Sequence, residues 1–171
     1  MRILVVEDNK KHREAAKKQL TEQHDVTIVK SFVIASELLL GNEGAAREYQ
    51  NLASVPFDAA LLDLNMPAEK TASCSQVGEG EVPYGFILAL RAVQCGVKYV
   101  GIITDANHHS GPLTAALDLI CPAYWHEDGS QPVFRIDETR LVIAHAPFEE
   151  GDPTVAQAKD WGRLLSRLMS S

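Results

Sequence analysis

The chain has 171 residues, 46% hydrophobic and 23% charged, the composition of one ordinary globular domain with a full core. Its net charge of −7 argues against non-specific binding to nucleic acid or anionic membrane. Cys74, Cys95 and Cys121 lack metal or redox spacing, no apolar run reaches the roughly 18 residues of a membrane span, and Met1-Arg2 leads straight into a strand-like run, so a cytoplasmic chain without signal peptide or membrane contact is expected.

Ile3-Leu4-Val5-Val6 reads as a strand buried on both faces, followed by Glu7-Asp8-Asn9, where Asp8 or Asn9 can cap a helix over roughly Lys10–Gln23. Val26–Val29 is a second strand. Ser31 caps a second helix running past Leu40, with Gly41 and Gly44 as weak points. Asp58–Leu62 is a third strand. Pro83 opens a helix over Tyr84–Cys95, which Gly96 ends as a left-handed cap. Tyr99–Thr104 is a fourth strand, and Pro112 opens a short helix ending near Cys121-Pro122.

Val133–Ile136 and Leu141–Ala144 suit a hairpin around Asp137-Glu138-Thr139. Asp152-Pro153 reads as the cap and first turn of the last helix, whose apolar stripe is Trp161, Leu164, Leu165 and Leu168. The alternation predicts an α/β fold, a doubly wound parallel sheet of five strands. One domain over 1–171 is expected, with insertions at about 68–82, after strand three, and about 122–137, before strand five. Loops of this length in a compact domain are usually functional.

In such a sheet ligands bind beyond the carboxyl ends of the strands. Strand one ends in Glu7-Asp8, strand three in Asp63, and strand four in Thr104-Asp105. Strands one and three thus bring three carboxylates to one edge, where they repel each other, and a hard divalent cation with oxygen ligands removes the conflict. Magnesium suits them, because it keeps several waters and accepts phosphate oxygens. A carboxylate beside it can attack phosphorus and form an aspartyl-phosphate, with the Thr104 hydroxyl donating to a phosphoryl oxygen. The bland alternative is that these acids only cap the helices that follow.

These stretches resemble the receiver domain of bacterial two-component response regulators. "ILVVEDN" resembles its first strand and acidic pair, "FDAALLDLNMP" its phosphoacceptor strand and turn, "YVGIITD" its fourth strand, and "RLVIAHAPF" its fifth. The resemblance implies a flavodoxin-like topology, with Asp63 as phosphoacceptor and Thr104 as the switch hydroxyl. It implies Mg²⁺ held by Glu7, Asp8, Asp63 and the backbone carbonyl of Asn65. The implied partners are a histidine kinase or phosphotransfer protein and an unidentified downstream protein. The only chemistry implied is self-phosphorylation and dephosphorylation. Such domains often dimerise through the last strand and helix, the region that carries an insertion here. No DNA-binding output domain is expected after the last helix.

Two departures stand out. The family lysine falls at Ala146, before Pro147 and Phe148, and losing such a charged hydrogen bond costs about 1.5–3 kcal/mol. His145 should point to the other face of the strand and so not replace it, whereas Lys70 in the long loop is within conceivable reach. Asp105 puts a fourth carboxylate where the family has a small residue. Both departures favour a pseudo-receiver, a phosphorylation-independent protein-interaction module, while Glu7, Asp8, Asp63 and Thr104 favour a working, stand-alone receiver.

His108-His109 lacks a third metal ligand at suitable spacing, and His126-Glu127-Asp128 reads as a solvated loop tip. No phosphate-binding Gly-Lys-Ser/Thr loop or dinucleotide glycine pattern is present. Asp63-Leu64-Asn65 is similar to the acid motif of haloacid-dehalogenase-type phosphatases, but Asn65 stands where that family needs a second Asp.

Overall fold

A computed structural model describes residues 1–41, 56–70, 80–106, 112–121, 131–148 and 157–170. In chain order the elements are β1 (Arg2–Val6), α1 (Lys10–Leu20), β2 (Asp25–Val29), α2 (Phe32–Leu40), β3 (Ala59–Asp63), β4 (Met66–Pro67), β5 (Glu81–Val82), α3 (Tyr84–Gln94), β6 (Tyr99–Thr104), α4 (Pro112–Leu117), β7 (Phe134–Ile136), β8 (Thr139–His145) and α5 (Trp161–Met169).

The main sheet has the order β2-β1-β3-β6-β8-β7. Its first five strands are parallel, the strand order of the flavodoxin-like, receiver-type doubly wound sheet. The expected fold class is therefore present, with one addition. The hairpin around Asp137-Glu138 forms, and its first arm, β7, joins the edge as a sixth, antiparallel strand.

Side chains alternate between two cores because the strand period is two. Leu4, Val6, Ala60, Leu62, Val100 and Ile102 pack with α2 and α3. Ile3, Val5, Ala59, Leu61, Ile103, Val142 and Ala144 pack with α1 and α5. The α5 stripe of Trp161, Leu164, Leu165 and Leu168 is buried as its spacing predicts.

Local signals act where expected. Asn9 caps α1, and the Ser31 hydroxyl caps α2. Gly41 closes α2 at φ 65°, a left-handed conformation that glycine adopts without strain. Several boundaries differ from expectation: α2 stops at Leu40, α4 ends at Leu117 short of Cys121, and β3 runs Ala59–Asp63, taking in Asp63. Helix α1 ends at Leu20, where Thr21 supplies the last cap. Helix α5 starts at Trp161 because the Asp160 carboxylate accepts from the Arg163 N–H at 2.9 Å and caps it there. Asp152-Pro153, the expected cap, lies outside the described residues, as do Gly44, Cys74, His108-His109 and His126-Glu127-Asp128.

Candidate active site at the carboxyl edge of the sheet

The α1/α5 face of the sheet explains why acids end its strands. Ile3 and Val5 are followed in the same row by Glu7, and Ala59 and Leu61 by Asp63. Ile103 is followed by Asp105, and Val142 and Ala144 by Ala146. Three rows thus finish in carboxylates and the fourth in a small residue.

Glu7, Asp8 and Asp63 lie together, each offering a carboxylate oxygen within 4.8 Å of the others. Glu7 is fully buried and Asp63 is 4% exposed. With Asn65, Glu81, Thr104 and Asp105 they line a cleft of about 270 Å³. An all-oxygen, acidic donor set of this kind fits a hard divalent cation.

One lysine, Lys159, reaches these acids. It is fully buried, and its Nζ donates to Glu7 Oε2 at 2.8 Å and to Asp63 Oδ1 at 2.9 Å. Asp105 Oδ1 lies 3.5 Å away. Ala146, where the resemblance places a lysine, ends the β8 row as a buried small residue. The chain leaves β8 through Ala146-Pro147 and returns with Lys159 bridged antiparallel to Phe148. The Asp160 N–H then donates to the Pro147 carbonyl at 2.7 Å. The ammonium thus enters the site from the segment leading into α5. Lys70 is exposed on the surface. His145 faces the other side, as alternation requires, and meets Asp118 at 3.2 Å.

Burial pushes the Asp63 carboxyl up to about 8, against the pull of Lys159 and with the added repulsion of Glu7 and Asp105. Burial alone would lower the pKa of Lys159, but the charges of Asp63, Glu7 and Asp105 outweigh it and hold the ammonium above its ordinary range. The Asp105 carboxylate is held well below its usual value by the hydrogen bond from His12, with help from Lys159. With its side chain 41% exposed, it is both solvated and paired.

His12 carries no signal as a site residue in the sequence. It occupies the first position of the buried α1 stripe, with Ala15, Ala16 and Leu20. Its Nδ1 accepts from the Lys159 backbone N–H at 3.1 Å, and its Nε2 lies 3.0 Å from Asp105 Oδ2.

The acidic turn is braced from several sides. Arg13 Nη1 donates to the carbonyls of Glu7 and Asp8. The Asn9 N–H donates to Glu7 Oε1 at 2.9 Å. The Thr104 hydroxyl, buried beside the cleft, accepts from the Ala106 N–H at 3.1 Å.

The loop after β3 is also fixed. The Glu69 carboxylate accepts from the Ser31 hydroxyl and the Phe32 N–H, both at 2.7 Å, at the N-terminus of α2. Its own N–H donates to the Tyr84 hydroxyl at 3.2 Å. Tyr84 stacks on Phe32 with ring centroids 4.1 Å apart.

No protein-family model matches the chain, and no curated protein matches it. Among solved structures, the chain is similar to the N-terminal domain of a response regulator/sensory box/GGDEF 3-domain protein from Carboxydothermus hydrogenoformans. The two are 17% identical, with 85% of this chain and 80% of that chain covered, at a TM-score of 0.44.

Proposed function

We propose that the chain is a receiver-type domain that accepts a phosphoryl group on Asp63 and changes its affinity for a protein partner as a result. One observation carries the reading: Asp63 and Glu7, ending adjacent strands, share one buried lysine ammonium. A carboxylate nucleophile needs an ionised oxygen, and the developing phosphoryl charge needs a cation beside it. Lys159 supplies a fixed cation, which removes the main objection raised by Ala146.

Glu7, Asp8, Asp63 and the Asn65 carbonyl are the residues that would hold Mg²⁺, which when bound offsets the charge of the acids and of the phosphoryl oxygens. The Asp63 oxygen forms the new bond to phosphorus while the bond to the donor's leaving group breaks. Lys159 meets the phosphoryl oxygens, and the Thr104 hydroxyl donates to one of them. The donor in this reading is a histidine kinase or phosphotransfer protein. The domain in this reading acts through protein partners in the cytoplasm, without nucleic-acid or membrane partners, and catalyses nothing beyond its own modification and its reversal. No helix among the described residues is long and apolar enough to cross a membrane.

The test is intact-mass spectrometry after incubation with acetyl phosphate and Mg²⁺, beside Asp63→Asn. A phosphoryl-sized gain in the native protein alone is the expected result. No gain with either that donor or a phosphorylated phosphotransfer protein overturns the reading in favour of a phosphorylation-independent interaction module.

A further inference from the structure

Lys159 lies outside the strands of the main sheet, joined to the chain leaving β8 by one isolated bridge to Phe148, and α1 supplies the rest of what fixes its ammonium. Its backbone is gripped at both polar atoms by side chains of α1. The N–H donates to His12 Nδ1 at 3.1 Å, and the C=O accepts from Gln19 Nε2 at 3.2 Å. His12 and Gln19 are seven residues apart, two helical turns, and so share a face. The same two residues continue onto α5. Gln19 Oε1 accepts from the N–H groups of Trp161 and Gly162 at 2.7 and 3.1 Å. The His12 carbonyl accepts from Trp161 Nε1 at 3.0 Å.

The ring state of His12 follows from its partners. A backbone N–H can only donate, so Nδ1 is unprotonated and Nε2 carries the proton. Nε2–H then donates to Asp105 Oδ2 at 3.0 Å. Asp105 turns its other oxygen toward Lys159 Nζ at 3.5 Å. One buried imidazole therefore holds the backbone of Lys159 on one side and orients a carboxylate facing its ammonium on the other.

We infer that His12 is a positioning residue for Lys159, acting as the neutral Nε2–H tautomer, with Gln19 as the second jaw of the clamp. The inference rests on the phosphoacceptor reading only for its effect on rate. His12 touches neither the phosphoryl group nor a metal ligand. Misplacing Lys159 by about an ångström is enough to slow transfer about ten- to a hundredfold.

The experiment compares the native protein with His12→Ala, His12→Asn, His12→Gln and Lys159→Ala. Three quantities are read: the initial rate of phosphoryl uptake from acetyl phosphate, Mg²⁺ affinity, and hydrogen exchange at the Lys159 amide. The imidazole ¹⁵N spectrum of the native protein reports the tautomer. An Asn amide can place its oxygen where Nδ1 sits, whereas Gln reaches Asp105 and abandons the Lys159 N–H.

The expected result is an unprotonated Nδ1, with fast exchange at Lys159 in the Ala and Gln variants and slow exchange in Asn. The His12→Ala rate should fall toward that of Lys159→Ala with Mg²⁺ affinity unchanged, and His12→Asn should recover most of it. A protonated Nδ1 overturns the inference. So does a His12→Ala variant that matches the native rate while Lys159→Ala is slow, or equal loss in all three His12 variants. If the native protein takes up no phosphoryl group, the phosphoacceptor reading fails on its own. The tautomer and the Lys159 exchange pattern then decide the clamp.

Discussion

Lys159 Nζ stands 2.9 Å from Asp63 Oδ1 although 96 residues separate them in the chain, and neither is open to solvent. Removing one partner of a buried pair leaves the other's charge uncompensated, at a cost of about 3–5 kcal/mol. Lys159→Met removes the cation that Glu7 and Asp63 share and should lower stability by a few kcal/mol, more above about pH 8, where Asp63 is ionised, than at neutral pH. Urea unfolding with and without millimolar Mg²⁺ checks this. The variant should regain more stability from Mg²⁺ than the native chain does, because the cation then relieves acids that have no lysine.

The raised Asp63 value sets a pH dependence in metal-free buffer. The folded carboxyl titrates near 8, against an ordinary 3.8. The folded state thus binds this proton more tightly than the unfolded state does. Stability from the group is complete below 3.8 and is lost as pH rises through about 8. Lys159 acts only above its ordinary 10.5, and Asp105 only below its ordinary 3.8, so both fall outside this window. Asp63→Asn should gain stability over the native chain between about pH 5 and pH 8, with the gap levelling off above that. Chemical denaturation across the range measures it, and a gap that shrinks with pH would contradict the assignment.

Gly85, in the first turn of α3, lies against the backbone at the end of β3. Its N–H donates to the Leu64 carbonyl at 3.0 Å. A Cβ there would meet the Asp63 carbonyl and lie 2.8 Å from Leu64 Cα, atoms that cannot yield locally. At Gly101 on β6 a Cβ would meet only the Leu164 side chain, 2.7 Å away, which can rotate. Gly85→Ala should cost the larger share of the about 1–3 kcal/mol typical of overpacking, and Gly101→Ala less. Thermal unfolding ranks them. Gly85→Ala should also weaken Mg²⁺ binding, because it moves Asp63.

Cys121 is a poor nucleophile. Burial and the nearby Asp118 push its thiol up to about 11, and its S–H donates to the Leu117 carbonyl at 3.1 Å. Cys95, partly accessible at the end of α3, should react with iodoacetamide well before Cys121. Peptide mapping of a timed alkylation at mildly alkaline pH checks the order.

The strand-end acids were legible because they depend on a local rule. Ile3-Val5 and Ala59-Leu61 define rows, and the period of two carries Glu7 and Asp63 to the same edge. Ser31 and Gly96 act through short-range chemistry and were legible for the same reason, whereas Gly41, expected only as a weak point, turned out to be the cap that stops α2. Lys159 was not, because its place depends on the return path of a segment after β8. The one available signal was Asp160, an N-cap residue directly before the Trp161 stripe. Choosing that cap over Asp152 would have put Lys159 beside the carboxyl edge. His12 was hidden because it occupies a core position of α1 next to Ala15 and Ala16, where an apolar residue is the ordinary occupant.

The short ribbon of β4 and β5 has a practical corollary. Pro67 faces Glu81 across it, and the Ala68 N–H donates to the Gly80 carbonyl at 3.1 Å, so the chain departs and returns at one point. Closing a longer excursion from a pinched neck adds only about 0.6 kcal/mol for each doubling in length. The neck is thus a natural graft point, where an epitope or reporter domain can be spliced into the chain while the register of Asp63 in the sheet stays as it is.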